Sequence, residues 1–129
     1  NETVVFATGF GSDTIVNFAA TGFGADQLNL SALGGNGTVA FGSLALDKSI
    51  VVAASGATND TLVKIAALFT DSATAATHVY VAYNANNIGS VYTVTDAAGV
   101  AAGNVTAALV GTIDLADTSW ASLSAANFV

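Results

Sequence analysis

The amino-acid sequence predicts a mainly β domain: a short β-roll or sandwich-like fold with one amphipathic helix and a C-terminal antiparallel hairpin. Three observations lead to this class. Glycine-rich turns separate short β-branched runs in the first third of the chain, a single stretch has helical spacing, and apolar and polar residues alternate from Thr77 onward. A chain of 129 residues is long enough for one domain with its own core.

We expect a single domain, residues 1–129, with three parts. Residues 1–53 form a glycine-rich, roll-like part, residues 54–76 a loop and a helix, and residues 77–129 an antiparallel part with a C-terminal tail. The chain opens with residues 3–7, TVVFA, whose β-branched and aromatic side chains predict a strand. We expect this strand to lie at a sheet edge or to pair with another chain.

A short motif occurs twice near the N-terminus. Residues 8–13 (TGFGSD) and 21–26 (TGFGAD) match in five of six positions at an offset of thirteen. Glycine reaches positive φ without steric penalty, so such a loop can turn its carbonyl oxygens inward, and the aspartate adds a charged oxygen of the kind that calcium binds. The candidate metal ligands are Gly9, Gly11, Asp13, Gly22, Gly24 and Asp26. The alternative is that these glycines only make tight turns between short strands.

One segment in the middle of the chain has the spacing of an amphipathic helix. It follows a predicted strand at residues 49–53, and residues 58–60 offer N-cap oxygens. Apolar side chains recur on one face at Leu62, Ile65, Ala66 and Phe69. We therefore expect a helix from Asp60 to about Thr70 that covers one side of the sheet.

The last part of the chain predicts a hairpin and a long strand. Residues 77–95 alternate with period two on both sides of an asparagine-rich turn, so their tyrosines should pair across the strands. Residues 105–115 predict a long strand, bent at Gly111. We expect Trp120 to anchor the final turn in the core.

The composition excludes several classes of partner. Two lysines, no arginine and nine acidic residues give a net charge of −7, whereas nucleic acids and anionic membranes bind clustered cations. No run reaches the roughly 20 apolar residues of a membrane span, so we expect no membrane insertion. The chain has no cysteine, so its stability must come from packing, metal or neighbouring subunits.

The residues do not assemble into a catalytic site, and we predict that the chain is not an enzyme. His78 is the sole histidine, and without cysteine it cannot complete a zinc site. The sequence contains neither a Gly-x-Ser-x-Gly elbow nor a P-loop. Asp114 and Asp117 are interpreted as part of an ordinary acidic turn.

The N-terminal block resembles the C-terminal region of RTX-type, type I secreted bacterial surface proteins. In that family a GxGxDxU loop and strand pass into a segment of the form DxIxxF…DxLxLSAL as the β-roll ends. The corresponding residues here are 9–15 (GFGSDTI), 13–18 (DTIVNF) and 26–33 (DQLNLSAL). The resemblance covers about the first third of the chain, and the part from Thr77 onward also looks like the tails of such proteins.

This resemblance implies a calcium-binding β-roll and a location outside the cell or on the bacterial surface, reached by type I secretion. In the family, extracellular calcium triggers folding and the extreme C-terminus is read by the secretion machinery. The corresponding segment here is 117–129.

Two functional hypotheses follow. The first is an extracellular structural protein: a calcium-stabilised subunit of a surface layer, matrix or filament that self-associates into a homo-oligomer or polymer through β edges. The alternative is a non-catalytic, calcium-binding C-terminal secretion module of a larger type I secreted enzyme or adhesin. A third idea, glycan binding, rests only on Tyr80, Tyr83 and Tyr92.

Overall fold

The computed structural model describes residues 1–8, 11–35, 38–42, 49–54, 61–69, 74–99, 104–115 and 118–129. These residues form β1 (Thr3–Val5), β2 (Asp13–Ile15), β3 (Gln27–Asn29), β4 (Val39–Phe41), β5 (Ile50–Val52), α1 (Leu62–Ala66), β6 (Ala76–Tyr83), β7 (Ile88–Asp96) and β8 (Val105–Asp114). Short 3₁₀ turns occur at Ser31–Leu33, Trp120–Ser122 and Ala125–Asn127. The predicted mainly β class with one short helix is confirmed.

The strands form two sheets. The large sheet has six strands in the order β2-β8-β7-β6-β5-β4, and the small sheet pairs β1 with β3 in parallel. Strands β6, β7 and β8 are antiparallel neighbours, whereas β2 joins β8, and β4 and β5 join β6, in parallel. Successive strands β1 to β4 therefore alternate between the small and the large sheet.

The predicted hairpin is confirmed. Strands β6 and β7 pair over their full length, and Tyr80 lies directly opposite Tyr92. Their connecting turn contains Asn86 and Asn87 at positive φ, a conformation that asparagine tolerates better than most residues. The hairpin consequently supplies the central strands of the large sheet.

The predicted bend in β8 takes the form of a β-bulge. Val91 of β7 pairs with Gly111, but the next residue, Tyr92, pairs with Leu109, so Val110 is the extra residue. A Cβ atom at Gly111 would lie 2.8 Å from the ring of Phe6. Glycine at this position therefore lets the N-terminal layer approach the sheet closely.

The first face of the large sheet is covered by the N-terminal layer. The largest buried side chains of this layer include Phe6, Phe18, Leu28 and Leu30. They share one core with Val79, Val81, Val91 and Ile113 of the large sheet. This two-layer arrangement corresponds to the sandwich-like fold that the sequence predicts.

The second face is covered by α1 and the turn that follows it. Ile65 and Phe69 are buried against Tyr80 and other residues on this face. The helix is shorter than predicted, because it begins after Thr61, whose hydroxyl oxygen accepts a hydrogen bond from the Lys64 amide. The expected ends Asp60 and Thr70 lie outside the described residues.

The prediction that Leu62 belongs to the buried face of the helix is wrong, since this side chain is 46 % exposed. It occupies the first helical position, and the buried contacts begin with Ile65 one turn later. A five-residue helix presents fewer of its residues to a sheet than the longer helix that the spacing predicts.

Trp120 anchors the last turn in the core, as predicted. Its indole N–H donates a hydrogen bond to the Ala53 carbonyl at 2.8 Å, and its ring packs edge-on against Tyr83. The ring also lies over Gly89, where an added Cβ atom would come within 2.4 Å of it. Because the indole is held by its hydrogen bond, it cannot move aside without losing a buried interaction.

We therefore expect Gly89→Ala to lower the free energy of unfolding by roughly 1–3 kcal/mol, the usual cost of overpacking a core. Urea unfolding followed by Trp120 fluorescence measures this effect, because Trp120 is the single tryptophan. Thr95→Ala, an exposed position on the same strand, is the control and should have little effect. Equal stability of the two variants would contradict the close contact between Gly89 and the indole.

Candidate functional site

The second glycine repeat forms a tight turn that projects from the N-terminal layer. Gly22 and Gly24 have φ values of 98° and 93°, which favour glycine strongly. The Ala25 amide donates a hydrogen bond to the Gly22 carbonyl at 3.3 Å and closes the turn. Phe23 therefore lies at the tip of the turn, between two glycines.

Asp26 closes the base of this turn. One carboxylate oxygen accepts the amide N–H of Glu2 at 2.9 Å, and the other accepts the amide N–H of Ala19 at 3.0 Å. The Asp26 amide in turn donates to the Ala19 carbonyl at 2.7 Å. The carboxylate thus connects both sides of the turn and fixes them to the start of the chain.

These contacts lower the pKa of Asp26 below its ordinary value of 3.8. The amide of Ala19 has the largest effect and that of Glu2 the next, because both donate to the ionised carboxylate. Asp26 is consequently negative at neutral pH, and its charge is compensated by backbone dipoles.

Asn127 completes the same network from the C-terminal end. Its buried amide nitrogen donates to the carbonyls of Ala20 and Asp26, both at 3.0 Å. Its side-chain oxygen accepts the Ser124 amide at 2.9 Å. Sequence analysis missed Asn127, although a serine three residues before an asparagine in a short turn is a local signal of such mutual capping.

The first repeat differs from the second despite their similar sequences. Gly9, one of the candidate ligands, lies outside the described residues. Gly11 has a φ of 82°, and Asp13 is exposed at the start of β2, where it pairs with Gly111. Asp13 thus begins a strand of the large sheet, whereas Asp26 precedes β3 of the small one.

In the second repeat, calcium would compete with hydrogen bonds that Asp26 already makes. Calcium takes six to eight oxygen ligands, whereas both Asp26 oxygens already accept backbone N–H groups. Across the described ranges, no group of three or more histidine, cysteine or acidic residues is placed to hold a metal ion. Gly22 and Gly24 provide the turn geometry, and calcium at either repeat stays a prediction.

The other residues considered for chemistry serve packing. His78 is buried, with its ring 5.3 Å from that of Phe69. Tyr80 and Tyr92 are buried beneath the helix layer, and Tyr83 packs against Trp120. The three tyrosines therefore do not form the exposed aromatic platform on which glycan binding would depend. Asp117 lies outside the described residues.

No family model, curated protein or solved structure matches this chain. Within the part of the chain that the structure describes, no helix is long and apolar enough to cross a membrane.

We expect Asp26→Asn to lower the free energy of unfolding by about 0.5–1.5 kcal/mol at neutral pH, because it weakens two hydrogen bonds to an ionised carboxylate that is partly screened by solvent. The pKa of Asp26 is lower in the folded state than its ordinary value of 3.8. The stabilisation is therefore complete at pH values above 3.8, and it is lost as the pH falls through the pKa of the folded state. Urea unfolding of both proteins from neutral to acidic pH measures the difference.

Asp13→Asn, measured in a calcium chelator, is the matched control for this test, because it makes the same chemical change at an exposed strand end. It should leave the stability nearly unchanged. A difference between wild type and Asp26→Asn that persists unchanged at acidic pH would contradict a stabilising role for the ionised Asp26 carboxylate.

Proposed function

We propose that this chain is an extracellular structural subunit that self-associates through β edges into a surface layer, matrix or filament. The observation that carries the proposal is the open outer edge of β1. The extracellular setting rests on the resemblance to RTX-type secreted proteins.

The hydrogen bonds between β1 and β3 show which main-chain groups of β1 are left to pair with another strand. The Gln27 amide donates to the Glu2 carbonyl at 2.8 Å, and the Phe6 amide donates to the Asn29 carbonyl at 2.9 Å. In a parallel pair of strands, the main-chain groups of every second residue bond to the partner strand. The amides and carbonyls of Thr3 and Val5 therefore point away from β3. Among the described residues, β1 pairs with β3 only.

Among the described residues, this edge carries no lysine, proline or β-bulge, although β1 is short, with three residues. Val5 is 51 % exposed, and β1 consists of a threonine and two valines. Natural edge strands are commonly guarded by lysine, proline or a bulge, and the whole chain has two lysines and no proline. A strand of a second copy can therefore add to β1 by main-chain hydrogen bonds.

The C-terminal residues pair within the subunit. Phe128 forms a parallel bridge with Leu28, and the Val129 amide donates to the Leu28 carbonyl at 2.9 Å. The chain end thus covers the outer side of β3 and leaves β1 as the open edge of the small sheet.

A second candidate function is the C-terminal secretion module of a larger secreted protein. The observation that favours it is that the chain end is part of the fold, since Asn127 and Phe128 are buried. Such a module has no need to polymerise, so its assembly state separates the two candidates.

We expect the purified chain to form ordered polymers, visible by negative-stain electron microscopy, and Val5→Lys to remain monomeric. Lysine at an edge strand disfavours the addition of another strand. Val16→Lys is the matched control, because Val16 is 62 % exposed, follows β2 and undergoes the same change in charge. A wild-type chain that stays monomeric at high concentration would favour the secretion module instead.

The calcium that the resemblance implies is assigned to the first repeat, because Asp26 is engaged in backbone hydrogen bonds. We expect calcium to raise the melting temperature of wild type and of Asp26→Asn by the same amount, and to leave Asp13→Asn unchanged. A ligand that binds only the folded state must raise the melting temperature. Equal melting of wild type in millimolar calcium and in chelator would remove calcium from the proposal.

A further inference from the structure

We infer that Phe23 of one copy enters an apolar pocket beside β4 of the next copy, so that the β1 edge pairs with the β4 edge in a head-to-tail assembly. This inference rests on the proposed function and specifies its interface. It commits to a second copy of this chain as the occupant of the pocket.

The first observation is the exposure of Phe23. Its relative accessibility is 114 %, so the whole ring is in contact with solvent. Phenylalanine is among the residues most often buried in folded proteins, and an exposed one on a defined turn is therefore informative. The contacts of Asp26 and Asn127 fix the base of this turn, so little conformational freedom is lost when Phe23 binds.

The second observation is a pocket of matching size and polarity. Its volume is about 310 Å³. It is lined by Phe41, Gly42, Ala53, Ala54, Trp120, Ala121 and Leu123. A cavity of about 150 Å³ is large enough to bind benzene, so a phenyl ring fits here. None of the lining residues carries a charge that entry of the ring would desolvate.

The third observation is that each feature adjoins a sheet edge. The Phe23 turn is tied through Asp26 to Glu2, the residue that precedes β1. The pocket includes Phe41, the last residue of β4, which is the end strand of the large sheet. A contact between the β1 edge and the β4 edge therefore brings the turn and the pocket into one interface.

In the proposed head-to-tail arrangement the Phe23 turn of one copy meets the pocket of the next, so the contact is heterologous. After two copies have bound, one of them retains an unused pocket and the other retains an unused Phe23 turn. Such an interface either closes into a ring or continues as a filament. This property matches a subunit of an extended layer or filament better than a simple two-fold dimer.

The net charge of each copy and the surface area that Phe23 can bury indicate which conditions and which contacts the assembly needs. Each copy carries a net charge of −7, so copies repel each other, and salt that screens this repulsion should favour assembly. A phenylalanine side chain buries roughly 150–250 Å², well below the roughly 1,200–2,000 Å² of a stable interface. The ring and the strand pair must therefore act together, and loss of either should prevent assembly.

The test uses two full-length variants and their mixture. Phe23→Ser removes the ring and keeps the pocket, whereas Ala121→Phe fills the pocket and keeps the ring. Sedimentation velocity should show polymers for wild type, monomers for each variant alone, and dimers without longer species for the equimolar mixture. Trp120 lines the pocket, so its fluorescence in the mixture should differ from the sum of the fluorescence of the two separate variants.

Each outcome separates this inference from the function on which it rests. A wild-type chain that never assembles overturns both. If wild type and Phe23→Ser assemble equally, the pocket contact is wrong, but β-edge pairing is unaffected. A mixture that forms no dimers also overturns it, provided that both variants melt cooperatively; if Ala121→Phe does not fold, Ala54→Phe fills the same pocket from another side.

Discussion

The structure depends on a hydrogen-bond network that joins the beginning of the chain, the second glycine turn and the C-terminus. Asp26 accepts amides from Glu2 and Ala19, and Asn127 binds the carbonyls of Ala20 and Asp26. The small sheet has only two short strands, which by themselves are marginally stable in water. This network, together with the buried Phe6 and Leu28 side chains beneath it, holds the small sheet on the large one.

The same network determines which surfaces remain available for other molecules. Because the C-terminal residues lie along β3, only the β1 side of the small sheet is without a strand partner in the described part of the chain. Because the turn is closed by a carboxylate and a buried amide, its tip does not fold back onto the core, and Phe23 faces solvent. Stabilising the fold and exposing Phe23 are therefore two effects of one arrangement.

The candidate site illustrates why a repeated motif need not have a repeated function. Asp13 and Asp26 occupy equivalent positions in nearly identical hexapeptides, and both were predicted as calcium ligands from the sequence. An aspartate oxygen accepts a backbone N–H as readily as it coordinates a cation, so the motif does not distinguish the two. The distinction depends on what lies nearby, and for Asp26 these neighbours are the amides of Glu2 and Ala19.

The sequence alone determined the elements whose signals are local. Period-two alternation defined the β6–β7 hairpin with its Tyr80–Tyr92 pair, and the isolated aromatic Trp120 identified the anchor of the last turn. Tertiary structure decided the parallel pairing of β2 with β8, the docking of Phe128 on β3 and the length of the helix. These features join residues far apart in the chain, and a local pattern gives the type of an element but not its distant partner.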